Sequence, residues 1–138
     1  MASDTFHCSI VTPERAVLET DKASFVSIPA HDGEIGFLAG RAPLLCQLGI
    51  GVLRVEMGDE VEVFYVDQGF AQMAENNLTI LTEQARRPSE LERDQIQESL
   101  EKAQAMELQG GEHLWADERL VAMRRAKTQL TLLDRHSE

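Results

Sequence analysis

Residues 51–66 read GVLRVEMGDEVEVFYV. Two runs rich in β-branched residues, Gly51–Met57 and Glu60–Val66, flank the pair Gly58-Asp59. Such a pair supplies the positive backbone dihedrals that a two-residue hairpin turn requires. The alternation predicts Val61, Val63 and Tyr65 on one face, with Glu60, Glu62 and Phe64 on the other. A hairpin this regular makes the surrounding chain a β domain.

The reading extends in both directions. Downstream, Phe70–Ala74 and Leu78–Leu81 form a second hairpin about Asn76-Asn77, since asparagine tolerates the left-handed conformation. Upstream, Phe6, Cys8 and Ile10 alternate with His7, Ser9 and Val11, and the run Phe25–Ile28 is ended by Pro29. Several short strands with regularly spaced turn signals predict a sandwich or flattened barrel.

The period changes at Arg86-Arg87-Pro88. Ser89-Glu90-Leu91-Glu92 has the form of a capping box, a serine able to accept from an amide three residues on and a glutamate able to reach back. Leu91, Ile96, Leu100, Ala103 and Met106 give one helical stripe, and Gly110-Gly111 breaks it. From Glu112 a second stripe runs through Ala116, Leu120, Met123, Lys127 and Leu130, flanked by Val121 and Leu133. The predicted fold is therefore mainly β, an N-terminal sandwich or flattened barrel over residues 1–86. An α-helical antiparallel hairpin follows over 87–138, with helices near 89–108 and 112–134 (β + α, two domains). Both stripes are thin and interrupted by charge. Isolated helices of this length are marginal in water, so the pair must lean on the sandwich, on a partner, or alternate between them.

Composition narrows the function classes. The net charge of −11 is uneven: residues 1–85 carry four basic and thirteen acidic side chains, residues 86–138 nine and eleven. An acidic front half argues against nucleic acid, whose binding relies on Lys and Arg at phosphates. No apolar run approaches the ~20 residues of a membrane helix. The opening MASDTFHCSIVTPE lacks the character of a signal or transit peptide. Cys8 and Cys46 lie far apart without CxxC spacing and read as free thiols, buried or half-buried, in a reducing compartment.

Catalytic equipment is sparse. His31, Asp32 and Glu34 cluster, and a histidine beside carboxylates can serve acid–base or metal chemistry, which keeps a small hydrolase or metal enzyme as a rival reading. Asp32-Gly33 is also ordinary turn chemistry, the simpler account of the cluster. His7 falls on a strand face, and His113 and His136 at helix ends. Trp115 reads as a packing anchor rather than a stacking platform. Arg119, Arg124, Arg125 and Lys127 form a basic run that is either a solvated helix face or a contact for an acidic partner.

The segment Ile28–Leu45, IPAHDGEIGFLAGRAPLL, combines turn residues with short apolar runs, as suits a shaped loop held against something. It resembles the signature loop of the epsilon subunits of F-type ATP synthases. That loop reads Pro-Gly, then Gly-Glu-hydrophobic-Gly, then Pro-Gly-His-Ala-Pro-Leu. Pro29, Gly33, Glu34, Gly36, Gly40, Ala42, Pro43 and Leu44 match it, whereas Ala30 and Ala39 replace a glycine and a proline and Arg41 replaces the histidine. The stretch Val66–Ala85, VDQGFAQMAENNLTILTEQA, resembles the family's strand–turn–strand, and the order of sandwich and helical hairpin also agrees.

The resemblance implies a non-catalytic central-stalk subunit of a proton-translocating ATP synthase, peripheral at the cytoplasmic face of the bacterial inner membrane. Its partners would be the gamma subunit, the c-ring and the catalytic beta subunits. The ring-facing loop would be Glu34, Gly36, Phe37, Leu38, Gly40, Arg41, Ala42 and Pro43, with Arg41 offered to a ring carboxylate. The hairpin would fold down against the sandwich or extend along gamma, where Arg119, Arg124, Arg125 and Lys127 would meet the beta subunits and block ATP hydrolysis. Some relatives bind ATP through Asp-x-x-Arg-Ala. Here Glu90, Arg93 and Asp94 stand in a degenerate form of it, so weak ATP binding or no cofactor is expected. A free-standing adaptor, a sandwich whose helical arm binds some other acidic protein, is the alternative.

Overall fold

The structure, a computed structural model, describes residues 4–30, 33–105 and the helix from 113 to 135, with side chains in that helix from residue 118 onward. The chain divides into two compact units, Met1–Arg87 and Pro88–Glu138.

The first unit is a β-sandwich. Its strands are β1 Phe6–Val11, β2 Ala16–Ala23, β3 Phe25–Ala30, β4 Gly33–Phe37, β5 Leu44–Met57, β6 Glu60–Ala74, β7 Asn77–Thr82 and β8 Ala85–Arg86. They form one sheet of order β2-β1-β7-β6-β5-β3-β4, with β8 beside β6. The sheet folds on itself because β5 and β6, of 14 and 15 residues, each pass through both layers. In one layer residues 44–48 of β5 and 69–74 of β6 lie beside β7, β1 and β2. In the other, the far halves of the same strands lie beside β3, β4 and β8.

The hairpin at Gly58-Asp59 forms, with Met57 opposite Glu60 and Gly58 alone of the pair at positive φ (64°). Its two faces separate as the alternation predicts. Phe64 and Val66 belong to the core, Val61 is exposed, Val63 is half-buried, and Tyr65 is buried outside that core with its hydroxyl 3.1 Å from Asp67 Oδ2. Glu62, on the core side, is tolerated because it lies at the rim, where it accepts from Arg87 Nε at 2.8 Å. Arg87 also stacks over the Phe64 ring at 4.8 Å and donates to the Val17 carbonyl at 3.4 Å, which fastens it to the sandwich.

Farther along β6 the inward positions change from even to odd, since Ala71 and Met73 follow Phe64 and Val66 into the core. The strand changes phase at Gln68 (φ 61°) and Gly69 (φ 136°). A Cβ on Gly69 would sit 1.9 Å from the Leu81 carbonyl oxygen, so the kink requires glycine. Its polar groups are satisfied: the buried Thr82 hydroxyl lies 2.7 Å from the Gln68 carbonyl oxygen, and Glu83 N–H donates to that same oxygen at 3.3 Å. This phase change keeps apolar side chains inside both layers.

Two further expectations shift. The second hairpin turns at Glu75-Asn76 (φ 51° and 60°) rather than Asn76-Asn77, with Ala74 paired to Asn77. Pro29 does not end its strand; it lies within β3 where pairing with β5 lapses between Ser27 and Ala30, so its missing N–H costs no ladder bond there.

The second unit has a 3-10 turn at Pro88–Glu90, then α1 Arg93–Ala105 and α2 His113–Arg135. The capping-box expectation is therefore displaced: Leu91 N–H closes the 3-10 turn onto Pro88, and Ile96 N–H bonds the Glu92 carbonyl at 3.0 Å to begin the α-helical ladder. Ile96, Leu100 and Ala126 form the seam, with Leu91, Met123, Leu130 and Leu133 against it. Leu120 and Lys127, expected on the stripe, are exposed, whereas Met123, Leu130 and the flanking Leu133 pack as expected and Ala126 joins them. Arg93 Nη2 meets Asp134 Oδ1 at 2.7 Å and further fastens the pair. The expected Gly110-Gly111 break, Met106, His136 and the side chains of His113, Trp115 and Ala116 lie outside the described residues.

Candidate docking surfaces

The loop between β4 and β5 is a built turn. Arg41 N–H bonds the Leu38 carbonyl at 3.3 Å, and Gly40 has φ 81°, the geometry of a type II turn with glycine third. Gly40 N–H donates to Asn76 Oδ1 at 2.8 Å, joining the loop to the β6–β7 turn. Arg41 folds back: its Nη1 donates to the Gly36 carbonyl at 3.3 Å and its guanidinium lies 5.2 Å from the centre of the Phe37 ring. Glu34, Leu38, Gly40, Arg41, Ala42 and Pro43 are exposed.

Of the residues expected to face a partner, Phe37 is buried and Gly36 half-buried. Phe37 is fully buried in the sandwich core. Gly36 lies beneath the Phe25 ring, where a Cβ would come within 2.8 Å of it. Both hold the loop from below. His31 and Asp32, members of the candidate acid–base cluster, lie outside the described residues, and Glu34 sits exposed on β4 opposite Pro29.

A second surface escapes sequence reasoning. Strand register places Phe70 of β6 beside Leu81 of β7, and Leu81 beside Val11 of β1. Phe70 is 54% exposed, Leu81 51%, and Leu45 of β5, one row away, 66%. Beside them runs a groove of 350 Å³ lined by Val11, Pro13, Phe70 and Leu81, with Glu83 among its walls. Apolar side chains gathered on the solvent side of a sheet mark an interaction surface, whereas scattered ones are ordinary. The available signal is that Phe70 and Leu81 fall out of phase with the buried Ala71 and Ile80. At the margin of this layer His7 Nδ1 lies 2.6 Å from Asp21 Oδ1 and Nε2 lies 3.5 Å from Glu19 Oε2.

The basic residues of α2 are not one face. Arg124 and Lys127 are exposed, while Arg119 and Arg125 are half-buried. Arg119 stands one helical step before Met123 on the packed side, and its Nη2 donates to the Gln104 carbonyl of α1 at 3.3 Å. Of the degenerate nucleotide element, Glu90 is in the 3-10 turn, Arg93 is paired with Asp134, and Asp94 is exposed in the first turn of α1. Neither thiol is in a disulfide; burial pushes the Cys8 thiol up to about 12, and burial also raises that of Cys46, opposed by the Arg41 charge.

The described residues thus form a β-sandwich with a preformed turn and an apolar outer face, followed by a helix pair. Residues 5–88 match the family model described as the beta-sandwich domain of the ATP synthase delta/epsilon chain. The ATP synthase epsilon chain of Rhodopirellula baltica is 37% identical over 126 residues, spanning 91% of this chain and 96% of the relative. That of Desulforudis audaxviator is 36% identical over 104 residues, 75% of each chain. The fold is also that of a chain in the Euglena gracilis mitochondrial ATP synthase (OSCP/F1/c-ring, rotational state 1), with TM-score 0.84 at 21% identity, covering 96% of this chain and 84% of that one. The chain belongs to the epsilon-subunit family of F-type ATP synthases.

Proposed function

We propose that this subunit is a non-catalytic part of the rotor of a proton-translocating ATP synthase, coupling gamma to the c-ring. It is held at the cytoplasmic face of the bacterial inner membrane through the complex alone; among the described residues no helix is long and apolar enough to cross a membrane. The observation that carries the reading is the apolar row of exposed Leu81 and Phe70 beside half-buried Val11, with exposed Leu45 one row away. Covering large apolar side chains returns roughly 1.5–3 kcal/mol each when burial is complete. With each already about half covered, the three larger ones supply a few kcal/mol toward docking gamma.

The loop carrying Leu38, Arg41, Ala42 and Pro43 faces the ring, and Arg41 pairs with a ring carboxylate. The helical hairpin inhibits ATP hydrolysis when its exposed Arg124 and Lys127 meet an acidic segment of the catalytic beta subunits. Arg119 and Arg125 contribute to that contact less than the sequence suggests, because in the folded hairpin both are half-buried. ATP binding at Glu90–Asp94 is weak or absent, since Asp94 places a negative charge where the motif has alanine.

Co-purification with gamma tests the assembly role. The wild-type chain should form a stoichiometric complex, and Phe70→Glu with Leu81→Glu should abolish it without unfolding the sandwich. A complex indifferent to both changes would refute docking through this face. For the hairpin, Arg124→Glu with Lys127→Glu should raise ATP hydrolysis by the reconstituted catalytic head.

A further inference from the structure

We propose that Asn76 is the positioning residue of the ring-facing loop, an assignment that rests on the docking reading of residues 38–43. That loop lies between β4 and β5 and belongs to no strand ladder. It is tied to a distant part of the chain by the bond from Gly40 N–H to Asn76 Oδ1, 2.8 Å long and spanning 36 positions of sequence. The same residue uses its backbone carbonyl to accept His7 N–H at 3.0 Å at the start of β1. Asn76 thus joins three pieces of chain at one end of the sandwich: the loop, the β6–β7 turn and β1.

The conformation of Asn76 separates two roles. At φ 60° it is the second central residue of a tight hairpin turn, a place where glycine or asparagine is comfortable. Turn geometry alone would be met by glycine. The side-chain acceptor aimed at Gly40 is additional, and it acts on the loop rather than on the turn. A loop ordered before docking loses less conformational freedom when it binds, so the clasp favours slower release from the ring. Arg41, next to Gly40, depends on the same turn for its place against Gly36 and Phe37.

The test uses the full chain with Asn76→Gly, which keeps the left-handed turn and removes the acceptor, and Asn76→Asp, which keeps both. Two quantities are read: Gly40 amide exchange by NMR, and dissociation from a purified c-ring carrying gamma. Loss of one net hydrogen bond predicts Gly40 exchange and dissociation each about three- to ten-fold faster in Asn76→Gly. Asn76→Asp should stay within about two-fold of wild type on the same reasoning. Unchanged Gly40 exchange in Asn76→Gly overturns the clasp. Faster exchange with unchanged dissociation overturns its role in docking. A wild-type chain that fails to bind the ring complex instead overturns the docking reading, and the Gly40 exchange then still decides whether Asn76 orders the loop.

Discussion

Replacing Gly69 by alanine should damage the sandwich far more than its one added methyl suggests. The new Cβ would lie 1.9 Å from the Leu81 carbonyl oxygen and 2.8 Å from Thr82 Cα, both backbone atoms. Relief requires β6 and β7 to part by about 1 Å or Gly69 to leave φ 136°. A side chain held at such a dihedral costs roughly 1–3 kcal/mol and overpacking a similar amount, together about 4 kcal/mol. Gly40→Ala is the control: its φ is also positive, at 81°, but no atom lies within 4 Å of the added carbon, so about 1 kcal/mol is expected. Urea unfolding followed through the near-ultraviolet signal of Tyr65, the single tyrosine and fully buried in the sandwich unit, reads both. With a slope of about 2 kcal/mol/M, the two midpoints should differ by roughly 1.5 M. A difference below about 0.5 M on that slope would show that the kink does not depend on close backbone approach.

Phe37→Ala removes a fully buried ring and should cost about 3–5 kcal/mol of stability, measured by the same unfolding experiment, whereas Leu38→Ala next to it should change little. Cys8 predicts an alkaline weakness. Its folded-state thiol titrates near 12 and the unfolded one near 9, so the stability it contributes is whole below pH 9 and falls by about 1.4 kcal/mol per unit as pH rises toward 12. Cys8→Ala should flatten that part of the stability–pH curve. Arg93→Ala breaks an exposed ion pair and should cost at most about 1 kcal/mol, less at high salt, by thermal melting of the helical unit.

Local patterns made much of the fold legible. The hairpin at Gly58-Asp59 follows from strict alternation around a turn pair, and the change from strands to helices near Pro88 follows from a change of period. The loop segment was visible from its glycines and prolines, and its likeness to a known family gave it a role. Errors arose where a local pattern had to compete with tertiary constraint. Gly33–Phe37, inside the segment read as a loop, is a strand because it pairs along β3. The helix seam runs through Ala126 rather than Lys127 because the partner helix selects the packed face, and Arg119 falls on that side with a backbone carbonyl to bond. Phe37 and Gly36, which a linear motif makes part of the docking loop, are its foundations.

The amino-acid sequence settled β1, the hairpin at Gly58-Asp59, β7 and the change to helices, because turn chemistry and hydrophobic period act between near neighbours; β2 and β4 were not legible from it. It also held the family motif. Which side chains are exposed together was decided by tertiary structure. Val11, Phe70 and Leu81 become one apolar surface only when three strands pair in register, and the kink at Gly69 turns Phe70 outward while Ala71 and Met73 turn in. A surface of this kind depends on strand phase and on the pairing of distant segments, and neither quantity is local to any stretch of the chain.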